Sequence, residues 1–412
     1  MNAPAPRVGL YGLLGSGNTG NDASMEAVLG YLRSYHPDAV VDAMCMGPER
    51  VRASYGIDTI PLLWYQKYDQ RVSGVRAVVL KVIGKAADTF RTAAWVRRHD
   101  VVIVPGMGVL EASLPLNPWG VPYLMFLLSA SGRLFRTKVA LVGVGAGLIS
   151  QRATRWLFLR AARLAYFRSY RDLASRDALQ QQGLDASGDP VHPDLVFSLP
   201  SSPVPGDPEM VGVGLMAYYG SNDDRERADE IYASYLGNVE SFIRWLLDGG
   251  RRVRLLYGDV VDEPAVQQVV ADLSGYQPDP GAPRLAAERV TSYAELSRAM
   301  APVGTVVATR YHNVVCALQL GKPVISLGYA SKNVVLMEDM GLPEFCQYAD
   351  AIDVGKLIEQ FTKLESNADQ VRTMLAERNA DQARLLADQF AALDKLLFPA
   401  GPTARARRPR AR

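Results

Sequence analysis

Cysteine and histidine are scarce in this chain, at three and four among 412 residues. Cys45, Cys316 and Cys346 are far apart and odd in number, which excludes a disulfide framework or a Cys-x-x-Cys metal pattern and makes a reducing compartment the expectation. No pair of histidines or carboxylates has the spacing of a metal site, so no metal is expected. Long apolar runs are missing too. The longest, Val121–Ala130, is about half of what a bilayer-spanning helix needs, and it is the candidate for membrane contact. Met1–Arg7 has no apolar stretch of the kind a secretory signal requires. The expectation is a cytoplasmic protein, at most peripheral at the inner face of the plasma membrane. Net charge is also small, at +2. The last nine residues, Ala404–Arg412, nevertheless carry five arginines and no acid, which leaves −3 on the body. A mildly acidic body implies no nucleic-acid-binding face, and no nucleic-acid partner is expected. The tail is expected to be disordered, with anionic lipid as its candidate contact.

What the chain does have is core material, with 48% hydrophobic and 21% charged residues over a length that points to two domains. Short Val/Ile/Leu runs alternate with longer amphipathic segments, the pattern of βα repeats on buried parallel sheets. Strands are predicted at Arg7–Leu13, Ala39–Met46, Val101–Val104 and Lys138–Val144, and helices at Asp22–Tyr35, Thr89–Arg98 and Ala153–Ala165. Leu199–Met210 holds four prolines among twelve residues, and no regular element is expected to pass through it. Strands resume at Val211–Met216, Arg252–Tyr257, Thr305–Ala308 and Pro323–Leu327. The expected architecture is α/β, with two Rossmann-like domains facing across a cleft. Residues 1–199 form the first, 200–210 a linker, 211–369 the second, 370–399 terminal helices and 400–412 the tail.

Gly15-Ser16-Gly17-Asn18-Thr19-Gly20 fits G-x-G-x-x-G between a strand and a helix, with Asp42 ending the next strand. A structural turn capped by Asn21 or Asp22 is the alternative. Gly106 and Gly108, and then Gly145, end two more strands of the same half and would let backbone line the cleft. Thr309-Arg310-Tyr311-His312-Asn313 sets a cation and a histidine where a strand gives way to a helix. The neighbouring strand end delivers Lys332. The structural alternative has His312 capping its helix and Arg310 in an ion pair. Arg171-Asp172 lies at another strand end, and His192-Pro193-Asp194 near the boundary.

From Gly12 to Leu342 these motifs resemble the polysaccharide pyruvyl transferase family. The most specific part is Ala308–Leu342, with arginine, any residue, histidine, then Gly321-Lys322-Pro323 and a lysine. Arg171-Asp172 with Ser175, and Pro193-Asp194, add to the likeness. The resemblance implies a GT-B-like fold and transfer of a pyruvyl group from phosphoenolpyruvate to a sugar as a cyclic ketal, with no other cofactor. His312 would be the general acid or base, because imidazole changes charge near neutral pH. Arg310 and Lys332, with Tyr311 beside them, would bind the donor's anions, and Arg171 would reach across from the first domain. Asp22 and Asp194 are candidate bases for an acceptor hydroxyl. The acceptor class implied is a cell-surface polysaccharide or glycolipid precursor, lipid-linked in one form. Three other readings stay open: a GT-B glycosyltransferase using a nucleotide sugar, a nicotinamide-dependent oxidoreductase resting on Gly15, Gly17, Gly20 and Asp42, and a non-catalytic glycan-binding protein.

Overall fold

Six parallel strands form a sheet in each half, the central ones runs of small and branched apolar residues. The computed structural model describes residues 5–64, 75–111, 117–220, 224–257, 259–276 and 284–399; the basic tail lies outside them. The first sheet holds β1 (Arg7–Gly12), β2 (Val40–Cys45), β3 (Asp58–Pro61), β4 (Val101–Pro105), β5 (Lys138–Val144) and β6 (Phe167–Tyr170), in the order β3-β2-β1-β4-β5-β6. The second holds β7 (Asp207–Gly214), β8 (Arg252–Tyr257), β9 (Leu285–Arg289), β10 (Val303–Ala308), β11 (Val324–Gly328) and β12 (Cys346–Tyr348), in the order β12-β11-β10-β7-β8-β9. Both reverse direction beside their central strand, so the loops there open a crevice at the carboxyl ends. The expected architecture of two Rossmann-like halves is the one observed.

Helices cover both faces of each sheet. Along the first half run α1 (Thr19–Tyr35), α2 (Pro48–Tyr55), α3 (Val75–Val96), α4 (Val121–Phe135), α5 (Arg152–Leu164) and α6 (Leu173–Gln181). The predicted helix Thr89–Arg98 is only the end of α3. Val121–Ala130 lies in α4, where Leu124, Met125, Leu127 and Leu128 are buried in the core while Tyr123 and Phe126 are half-buried. No helix among the described residues is long and apolar enough to cross a membrane, and all three cysteines are free.

The second half continues with α7 (Ala228–Asp248), α8 (Glu263–Asp272), α9 (Tyr293–Met300), α10 (Tyr311–Gln319), α11 (Ser331–Asp339) and α12 (Val354–Ser366). The proline-rich boundary departs from expectation, because β7 already starts at Asp207 and carries Pro208. A register shift between Val303 and Thr305 of β10 lies opposite, so the proline's missing N–H falls at an irregularity in the ladder. Lys322 is buried on this side, donating to the carbonyls of Val204 and Ala301 at 2.6 Å each, and so ties the linker down.

The terminal segment is one helix, α13 (Ala368–Leu397), and it returns to the first half. The Phe390 ring stacks on Tyr31 of α1 with centroids 4.8 Å apart, and Lys138 donates to the last-turn carbonyls of Leu396 and Leu397. On the way Asn379 donates to Leu318 O of α10, so one helix touches both halves.

Candidate active site

The β1–α1 loop supplies the first wall. Asn18 is the N-cap of α1, its side chain accepting from the amides of Gly20 and Asn21, so neither Asn21 nor Asp22 caps the helix. The Asn18 amide also donates to Asp259 of the second half at 3.1 Å. Asp22, expected as a base, is buried and committed to its own loop: it accepts from Gly15 N at 2.6 Å and lies 3.7 Å from Arg50. Gly15 and Gly17 take the positive φ values that turn the loop. Asp42 does not end its strand. It sits inside β2 and accepts from Trp95 and His99 at 2.7 and 3.0 Å, which removes the acidic residue of a dinucleotide site.

The Arg171 side supplies the opposite wall. Asp172 caps α6 through Ser175 N at 2.6 Å, and this fixes the chain as it leaves β6 and turns Arg171 inward. The Arg171 guanidinium is buried and donates to Glu111 Oε1 at 2.6 Å. Lys332, in the first turn of α11, lies 3.4 Å from Glu111 Oε2. One carboxylate thus sits between cations from the two halves. Burial alone would raise the Glu111 pKa, but Lys332 and Arg171 outweigh it and hold the group below its ordinary value. Gly108 and Gly145 make room for it. A Cβ on Gly145 would lie 2.5 Å from both Glu111 and Arg171, and one on Gly108 2.7 Å from Glu111. Gly106 packs against Ser24 of α1. Glu111 was not picked out from sequence.

Tyr311 forms the floor, its ring facing the Arg171 guanidinium at 5.1 Å and Lys332 Nζ at 5.7 Å. His312 follows in the first turn of α10, with its ring against the backbone of Gly20. A Cβ at position 20 would fall inside the imidazole, so the β1–α1 loop and the histidine fit only while residue 20 is glycine. Asp194 caps the 3-10 turn Leu195–Ser198 and holds Oδ2 3.8 Å from His312 Nε2. Arg310 takes the structural alternative. It caps nothing with its side chain, and its fork is filled by Asp262 at 2.6 and 2.7 Å, with Asp259 at 3.8 Å. In this structure Arg310 is therefore ion-paired at the edge of the cleft pocket, while Arg171 and Lys332 meet at Glu111. Lys322 of the Gly-Lys-Pro motif is tied to the linker instead.

Burial pushes the His312 pKa from 6.5 down to about 4, with Asp194 opposing and Arg171, Lys332 and Arg310 assisting. The ring is neutral at pH 7 and does not titrate near neutrality as expected. Because the folded pKa lies below the unfolded one, the stability tied to this histidine is complete above pH 6.5 and is lost as pH falls toward 4. An NMR titration of the His312 ring should show the neutral form persisting down to about pH 5. A midpoint at the ordinary histidine value would contradict the buried, neutral ring.

Small cavities of about 40 and 20 Å³ flank Tyr311, one reaching His312 and Asn18, the other Arg171, Asp194 and Lys332. Each has room for little more than a water. A larger cavity, about 530 Å³, lies beside β3 among Asp42, Arg91 and Trp95. There Arg52 and Arg91 donate to the outward carbonyls of Thr59 and Pro61, so they finish a sheet edge rather than serve the cleft. Among the described residues no group of three metal-ligating side chains is present.

Two doubly wound parallel sheets, facing across a cleft where cations of both halves converge, define a GT-B-like protein. A sequence profile described as Polysaccharide pyruvyl transferase matches residues 18–331, and the chain belongs to that family of transferases. It is similar to the amylovoran biosynthesis protein AmsJ of Erwinia amylovora, with 24% identity over 98 residues. That stretch is 24% of this chain and 23% of the relative, so the match spans about a quarter of each. Among solved structures, the glycosyltransferase of Rickettsia africae superposes with a TM-score of 0.58 at 10% identity, covering 97% of this chain and 100% of that one. The UDP-GlcNAc 2-epimerase of Neisseria meningitidis bound to UDP-GlcNAc gives 0.55 at 11% identity, over 94% and 99%. At these identities the likeness is one of fold.

Proposed function

We propose that this protein moves the pyruvyl group of phosphoenolpyruvate onto two hydroxyls of a sugar, forming a cyclic ketal and releasing phosphate. The observation that carries this reading is the pair Arg171 and Lys332, contributed by opposite halves and closing on the two oxygens of Glu111 beside a neutral His312. A donor bearing a carboxylate and a phosphate on a three-carbon frame offers those cations the same chemistry, and would take the place of Glu111 as the cleft opens.

In the reaction, one hydroxyl proton ends on the donor's methylene, which becomes methyl. That hydroxyl's oxygen bonds to C2, the bond from C2 to the phosphate oxygen breaks, and the second hydroxyl closes the ring while its proton leaves with phosphate. His312, neutral before the donor binds, is suited to accept the first hydroxyl proton and pass it on. A trianion nearby would raise its pKa toward that role. Asp194, 3.8 Å from the ring, would stabilise the imidazole once protonated. The acceptor in this reading is a polysaccharide or glycolipid precursor at the cytoplasmic face, and no further cofactor takes part.

Phosphoenolpyruvate should raise the thermal midpoint of the purified protein, and phosphate should appear only when a glycan acceptor is added. Stabilisation by a nucleoside diphosphate, with no response to phosphoenolpyruvate, would instead establish the nucleotide-sugar reading.

A further inference from the structure

The chain's small net charge conceals an uneven distribution. From Ala112 to Arg171, sixty residues carry nine arginines and lysines and no acid, while the remainder of the chain sums to −7. The two acids bounding this stretch, Glu111 and Asp172, both face Arg171 in the cleft, at 2.6 and 3.6 Å, and neither offsets the charge outside. The stretch builds α4 and α5, which pack along each other with α3 beside α4. Asp88 of α3 is buried and held by Trp64 N and Arg91, so it does not offset that charge either.

On α5 the exposed side chains Arg152, Trp156, Arg160 and Arg163 recur every three or four residues, forming one stripe. Trp156 is 52% exposed and Arg160 lies over its ring. The aromatic surface continues across α4: Phe126 meets Trp156 at 5.7 Å, and Tyr123, one turn earlier, meets Trp119 at 5.8 Å. Trp119, two residues before α4, and Leu148, four residues after β5, are 61% and 65% exposed. Large apolar tips among arginines, with no acid within residues 112–171, are the composition of a surface that seats in lipid headgroups.

We infer that the α4–α5 face docks on an anionic bilayer, with Trp119, Leu148 and Trp156 entering the headgroup layer and the α5 arginines meeting lipid charge. The cleft mouth then opens at the membrane surface, where a lipid-borne acceptor would arrive. This placement does not depend on the identity of the donor.

Full-length protein should cosediment with vesicles of phosphatidylcholine and phosphatidylglycerol but not with phosphatidylcholine alone, and added salt should weaken the binding. Trp156→Ser combined with Arg152→Glu and Arg160→Glu should lower the partition coefficient at least about tenfold, with circular dichroism and thermal midpoint unchanged. Equal binding to both vesicle types overturns the proposal. So does a triple variant that binds as the unaltered chain does, which would place the anchor in the arginine-rich tail. Self-association in sedimentation velocity that the triple variant abolishes would make a second copy the occupant, and also overturns it.

Discussion

Arg171→Met should lower kcat/KM for phosphoenolpyruvate by about a thousandfold, the equivalent of ~4 kcal/mol for removing one member of a buried charge pair. The guanidinium is buried, fixed by the Asp172 cap one residue on, and aimed at the anion seat across the Tyr311 ring. Lys332 approaches from the other half, and Arg310 pairs with Asp262 in this structure. The change should also destabilise the fold by about 3 kcal/mol, since Glu111 keeps only Lys332 as a partner. Glu111→Gln in the same chain should restore part of that stability, as the orphan is then neutral. Glu111→Gln alone should lower KM for the donor severalfold, since a resident carboxylate no longer competes for the two cations. Steady-state kinetics and denaturant unfolding of the four chains of this cycle decide it. Arg171→Met with unchanged KM and kcat would remove Arg171 from the site.

His312→Ala should lower kcat by about 10²- to 10⁴-fold, the range of a lost general acid–base group, while donor binding by calorimetry changes little. Gly20→Ala is the companion test. Its Cβ would occupy the imidazole's space, so it should reproduce much of the loss without touching any titratable group. The double variant should be no slower than His312→Ala, because both changes remove the same group. A Gly20→Ala protein of normal kcat would show that the contact between the halves at this point is irrelevant to turnover.

Much of the fold was legible because its central strands are uninterrupted branched apolar runs, such as Val101–Val104, which only a doubly covered sheet buries. The edges were not. β3, β9 and β12 are short and partly exposed, and β9 buries only its first residue, so no alternation or apolar run marks it. The proline boundary misled because Pro208 enters a strand at an irregularity fixed by Val303 and Thr305, almost a hundred residues away. At the site, residue types at strand ends pointed to Arg171, His312 and Lys332. Pairing could not be read: the partner of Arg310 in the structure is Asp262, forty-eight residues earlier, and only the tertiary fold brings the two together. Glu111 did leave a signal, as the last acid before a sixty-residue stretch without one. Net charge hid that signal and also hid the basic face it opens.

The return of α13 to the first half means that the chain crosses between the halves twice, once in the linker that Lys322 holds and once in a continuous helix. A single tether would let the halves swing, twist and separate. Two crossings, one of them within a helix thirty residues long, restrain the halves more than one tether would. Any parting of the halves would break the Asn18–Asp259 and Glu111–Lys332 contacts and lift His312 from Gly20.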